Sequence, residues 1–228
     1  MLEGQTIVGP IVDGGVLQRS PGDAFRRGEQ ARIPLIVGAN SYEASLGFLT
    51  EAFARGAVAD AYDTLLAKYA QREPVEQARL TLIGELFGVQ PARFIAQEHS
   101  RTGAASFLYY FDHVRASQRG SSHGAPHGGE LPYVFGTPAH FFTEWPGQAS
   151  SELDERDRRV SDTIIDYWTA FARSGDPNYD RAPAWQAVQP ADVRTLRLGE
   201  EIEMVGFDGL ADETEVAAVA ASTRGWGP

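Results

Sequence analysis

The sequence predicts an α/β layered fold. Three observations point there. "IPLIV" (Ile33 to Val37) is apolar on both faces over the length of a strand, the pattern of a strand buried in a parallel sheet between helices. Strand-like segments alternate with helix-period ones along the chain. No repeat, heptad array or long low-complexity linker interrupts that alternation.

The elements follow in order. The first forty residues read as short strands and turns, with Gly-Pro and Asp-Gly-Gly supplying turn chemistry in "TIVGPIVDGGVL". The run from Ile33 to Val37 is a strand that Gly38 ends. Residues 51–72 favour helix, with apolar positions at Ala54, Val58, Ala61, Tyr62, Leu65, Leu66 and Tyr69. Residues 80–102 form a second helical region, interrupted near Pro91. "AASFLYYFDHV" (Ala104 to Val114) is an aromatic-rich strand. "SELDERDRRVSDTIIDYWTAFARSG" is the clearest helix: Ser151 with Asp154 resembles a capping box, Val160, Ile164, Trp168, Phe171 and Ala172 recur at helical spacing, and Gly175 is placed to stop it. "RTLRLG" and "EIEMVGF" read as closing strands, and the tail from Ala211 is acidic and alanine-rich.

Composition bounds the function. The chain has 228 residues, 43% of them hydrophobic and 22% charged, the balance of an ordinary globular protein. Twenty basic against thirty-one acidic residues give a net charge of −11, which argues against nucleic acid or an anionic membrane as the main partner. Absence of cysteine rules out disulfides and a thiol nucleophile, and leaves the compartment open. No apolar run reaches the roughly eighteen residues that span a bilayer, and the first residues lack a signal-peptide pattern.

Candidate chemistry sits in two loops that follow strands. One, "VGANSYEASLG", carries Glu43; the other, "SSHGAPHGGELPYVFG", carries His123, His127 and Glu130 among glycines. In open α/β sheets functional residues gather beyond the carboxyl ends of the strands. There a glutamate can hold a distant histidine in one tautomer and stabilise its protonated form. Taken alone, Glu43 reads first as a solvated loop carboxylate, and His127 reads equally well as an ordinary loop histidine. His123, His127 and Glu130 have the spacing H-x3-H-x2-E, but ligands at that spacing ride on a helix and "GAP" and "GG" oppose one, so a zinc site is disfavoured. The pattern G-x-S-x-G occurs once, at Gly120 to Gly124. Ser122 within it lacks the flanking strand and helix of a nucleophile elbow, and reads as a loop serine.

Several segments together resemble the C-terminal part of the type-B carboxylesterases, the cholinesterase and para-nitrobenzyl esterase family of the α/β-hydrolase fold. "IPLIVGANSYEASLG" is similar to the family's acid loop, VGxNxxEG, with Ala44 where glycine is more usual. "PARFIAQEHSRTGAASFLYYFDHV" is similar to the helix and strand before the base, and "PHGGELPYVFG" to the base loop HGxELxYVFG. "GPIVDGGVL", "IIDYWTAFARSGDPN" and "PAWQAV" match further segments in the family's order. The resemblance implies a three-layer αβα fold with a mostly parallel sheet, of which residues 1–228 form a single, incomplete C-terminal segment with a helical insertion around 51–102.

It also implies roles. Glu43 is the acid and His127 the base of a Ser-His-Glu esterase acting on a small-molecule ester. Glu130 helps hold the loop, with orientation of the catalytic groups as the alternative. No metal or organic cofactor is required. The family's serine elbow and oxyanion loop belong to a first half that this chain does not show, so inactivity alone is expected, together with a need for the N-terminal half of the fold, covalent or not. An open sheet edge would then favour self-association. A non-catalytic adhesion or binding domain of the same fold is the alternative. Phe141, Phe142 and Trp145 in "GTPAHFFTEWPG" suit either an apolar wall of a substrate gorge or plain packing.

Overall fold

A computed structural model describes residues 10–47, 50–141 and 153–206. The elements are α1 (Pro21–Arg26), β1 (Leu35–Asn40), α2 (Glu51–Val58), α3 (Tyr62–Tyr69), α4 (Val75–Gly84), α5 (Gln90–Ser100), β2 (Ser106–Phe111), α6 (Leu131–Val134), α7 (Pro138–Phe141), α8 (Glu155–Ser174), β3 (Arg194–Leu198) and β4 (Ile202–Gly206). The four strands form one sheet in the order β1-β2-β3-β4. β1 and β3 both run parallel to β2, and β4 closes the sheet antiparallel to β3. The fold is thus α/β with a mostly parallel sheet, as expected.

Strand alternation explains the layers. Phe107 and Phe111 of β2 point to one face, where they meet Val160, Ile164 and Tyr167 of α8 and the buried Trp185. Leu108 of β2 and Ala39 of β1 point to the other face, against Val89, Ala92 and Ala96 of the α5 region. Burial on both faces is why these strands read as unbroken apolar runs rather than alternating ones. Trp185 also donates its indole N–H to the Leu108 carbonyl at 3.1 Å, tying the α8 side to the central strand. A third cluster lies among α2, α3 and α4, built on Ala54, Tyr62, Leu65, Tyr69 and Leu82.

Several boundaries differ from the sequence reading. Among the described residues before Leu35 there is no strand, but there is α1, capped by Ser20 accepting the Asp23 N–H with Pro21 in the first turn. Gly38 does not end β1; the strand runs on to Asn40. Glycine is needed there because a Cβ would fall 2.4 Å from the Tyr109 ring on the neighbouring strand. The helical region does not break at Pro91. α4 passes into a π-helical turn, Glu85–Val89, and α5 follows directly after it with Pro91 as its second residue.

The long helix α8 begins on Asp154, not on Ser151. Asp154 accepts the Asp157 N–H at 2.8 Å and Asp157 reciprocates at 3.0 Å, a capping box one turn later than expected. Ser151, Phe142, Trp145 and the tail from Ala211 lie outside the described residues, and the side chain of Phe141 is likewise not described. Gly175 does terminate α8, in the left-handed conformation at φ 75°. No helix among the described residues is long and apolar enough to cross a membrane.

Candidate active site

The site forms where β1 and β2 end. Three residues past Asn40, a single 3-10 turn, Glu43–Ser45, folds back under the strand and buries Glu43. One carboxylate oxygen, Oε1, accepts the Asn40 N–H at 2.7 Å. The other, Oε2, lies 2.5 Å from His127 Nδ1. These residues are 84 positions apart in sequence, and the glycine-rich loop is what spans the gap.

That loop is stitched to the acid turn along its length. Tyr42 donates its N–H to Ala125 O at 2.8 Å, Ala125 donates its own to Ser41 Oγ at 2.8 Å, and His127 donates its own to Ser45 Oγ at 2.9 Å. Asn40 Nδ2 donates to Pro126 O at 2.7 Å and to Glu130 Oε2 at 2.5 Å. Glu130 itself stands at the start of α6, whose Tyr133 is buried in the core below.

The π-helical turn supplies the wall behind the acid. Gly88 sits so close that a Cβ there would lie 2.6 Å from Glu43 Cγ. The Phe87 ring meets the His127 ring edge-on at 6.0 Å. A carboxylate can only accept hydrogen bonds, so His127 Nδ1 carries the proton and Nε2 of the neutral ring is left as the basic nitrogen. Nε2 has no partner among the described residues, and the His127 side chain is 46% exposed against 7% for Glu43. A buried anion orienting a histidine with an open basic nitrogen is what general-base catalysis requires.

A second histidine–carboxylate contact behaves differently. His113 Nε2 lies 2.7 Å from Asp157 Oδ1, and both side chains are buried. Burial pushes the His113 pKa below the usual histidine value, against the opposing pull of Asp157. Asp157 also accepts from Ala116 N, Arg119 and Asp154 N, so this cluster pins the start of α8, and the His113 side chain is 2% exposed against 46% for His127.

Other residues singled out in the sequence separate here. His123 Nδ1 lies 2.8 Å from Gln77 Oε1 and its ring packs edge-on to Tyr42. His123, His127 and Glu130 therefore turn to three different partners, and no group of metal-binding side chains exists among the described residues. Ser122 donates to the carbonyl of Gly124 two residues on, a local turn bond. Sequence reasoning did not single out Asn40, Ser41, Ser45, Phe87 or Gly88. Only Asn40 offered a signal, as the asparagine of the acid-loop pattern VGxNxxEG.

Residues 54–216 match the family model described as the carboxylesterase family, a span that holds His127 and Glu130 and starts after Glu43. Human Neuroligin-2 is 30% identical over 203 residues, covering 75% of this chain and 24% of the relative. Mouse Neuroligin-3 is 26% identical over 238 residues, covering 84% of this chain and 28% of the relative. The chain thus spans about a quarter of the length of these curated relatives. Among solved structures, a PNB esterase superposes with a TM-score of 0.69 at 22% identity, over 95% of this chain and 44% of that one.

Proposed function

The chain belongs to the carboxylesterase family, and from that premise we propose that it supplies the acid and the base of a carboxylic ester hydrolase of the Ser-His-Glu type. The observation that carries this reading is the 2.5 Å bond from His127 Nδ1 to the buried Glu43, with Nε2 left open.

In this mechanism His127 Nε2 takes the proton of a serine hydroxyl as the serine attacks the ester carbonyl. The imidazolium so formed is stabilised by Glu43, which stays ionised and holds the ring in place. His127 then protonates the departing alcohol, and in the second half activates water to release the acid. The serine and the backbone donors that stabilise the oxyanion come, on this reading, from the N-terminal half of the fold. The substrate is a small-molecule ester and no cofactor takes part. The alternative is a non-catalytic binding domain on the same scaffold, and its support is that the curated relatives above are named neuroligins and not esterases.

The test is hydrolysis of para-nitrophenyl butyrate by the chain alone and by the chain co-expressed with a serine-bearing N-terminal segment of a carboxylesterase. The proposal expects background rates alone, turnover in the assembled pair, and a return to background in His127→Ala. An assembled pair that turns over equally well with His127→Ala removes His127 from the chemistry. A pair that assembles without turnover favours the binding domain. Activity of the chain alone that vanishes in Ser122→Ala would make Ser122 the nucleophile.

A further inference from the structure

Asn40 bonds to the acid and to the base loop on either side of the histidine. Its backbone N–H donates to Glu43 Oε1, and its side-chain amide donates to the Pro126 carbonyl at 2.7 Å and to Glu130 Oε2 at 2.5 Å. The two side-chain partners are acceptors only, so the amide nitrogen must face them and the orientation of the amide is settled by chemistry. Pro126 and Glu130 bracket His127, one residue before it and three after. The amide therefore grips the base loop on both sides of the histidine, while the same residue's backbone fixes the acid.

We propose that Asn40 is a positioning residue, clamping the base loop to the end of β1 so that His127 meets Glu43. The inference deepens the esterase reading and rests on it. Burial decides why this contact outranks the neighbouring ones. Asn40 is 2% exposed and its bond to Glu130 is charge-assisted, whereas the bond from His127 N to Ser45 Oγ is neutral and exposed. The remaining acceptor, Oδ1, is buried without a partner among the described residues. Aspartate could not substitute, because it would set an anionic oxygen against Glu130 and leave a second one unpartnered in the interior.

The test uses the 228-residue chain and reads the proton on His127 Nδ1 by NMR. A short, charge-assisted bond gives that proton a strongly downfield, exchange-protected resonance, assigned by its loss in His127→Ala and in Glu43→Gln. Asn40→Ala is expected to broaden or abolish the resonance while the circular dichroism stays that of the wild type. Should Asn40→Ala fail to fold, Glu130→Ala removes the clamp from the opposite side and is expected to do the same. Glu130→Gln keeps an acceptor for Asn40 and should retain more of the signal than Glu130→Ala.

In an active assembly, Asn40→Ala should lower kcat by about ten- to a hundredfold while KM stays within about twofold, the effect of a residue that orients a catalytic group. A resonance that survives unchanged in both Asn40→Ala and Glu130→Ala, or is missing from the wild type, overturns the proposal. A resonance that depends on Asn40 in a protein without esterase activity in any assembly supports the clamp and removes the esterase reading, so the two failures are distinguishable.

Discussion

Gly88→Ala adds one methyl at the closest approach in the site. The new Cβ would stand 2.6 Å from Glu43 Cγ, 3.1 Å from Glu43 Cδ and 3.2 Å from Ala39 Cβ, where unstrained carbons sit about 3.5–4.0 Å apart. Glu43 cannot swing aside, because its carboxylate is held at 2.7 Å by Asn40 and at 2.5 Å by His127. Overpacking of that kind costs about 1–3 kcal/mol. Replacing a helical glycine by alanine returns up to about 1 kcal/mol in propensity, so the net expectation is a loss of about 0–3 kcal/mol.

Gly56 in α2 is the control. A Cβ there meets nothing within 4 Å, so Gly56→Ala should gain about 0.5–1 kcal/mol. Urea unfolding followed by tryptophan fluorescence measures both, and the two variants should differ by at least about 0.5 kcal/mol in opposite senses. A Gly88→Ala protein stabilised as much as Gly56→Ala would refute the close packing of the π-helical turn on the acid.

Three further outcomes follow from the scaffold. His113 is kept neutral by burial and its folded pKa lies below the usual value, so the unfolded chain takes up the proton first. Stability should be full above about pH 6.5 and fall below it, by at most about 1.4 kcal/mol per pH unit from this one group, and His113→Gln should flatten that slope in urea titrations between pH 7.5 and 5.5. Asp154→Ala removes the cap of α8 and should cost about 1 kcal/mol by the same assay, with Asp154→Ser losing less. Trp185→Ala empties the aromatic layer between β2 and α8 and should cost about 3–5 kcal/mol, measured as a lowered urea midpoint.

What the sequence disclosed and what it hid have physical reasons. α8 was legible because a single amphipathic helix carries its own period and its own stop at Gly175; its start is set by the reciprocal bonds of Asp154 and Asp157, and a second acidic residue three positions on is an easy signal to pass over. β3 and β4 were legible as short runs separated by a turn. Gly38 was misread as a terminator because its reason for being glycine is a tyrosine 71 positions away, on β2. The continuous α4 to α5 segment was misread at Pro91 because a proline just after a π-helical turn looks, in sequence, like one that breaks a helix. α1 carried a readable cap in "SPGD" that the surrounding turn residues masked.

The site divides in the same way. Glu43 and His127 could be named from loops that follow strands and from resemblance to a known acid and base loop, and the fold brings them into contact. Asn40, Ser41 and Ser45 act on the base loop through partners 82 to 90 positions away, a separation that no local pattern encodes. Gly88 matters only because a helix passes over Glu43, which is a fact of packing and not of sequence period.

The most direct test of the central claim is the turnover number of Glu43→Gln in the assembled esterase. Glutamine keeps the shape of the side chain but removes the anion that holds the proton on His127 Nδ1 and stabilises the imidazolium. If Glu43 is the acid of a Ser-His-Glu triad, kcat should fall by about ten-thousandfold with the fold intact. A fall of less than about tenfold, within the reach of a merely structural hydrogen bond, would contradict the account.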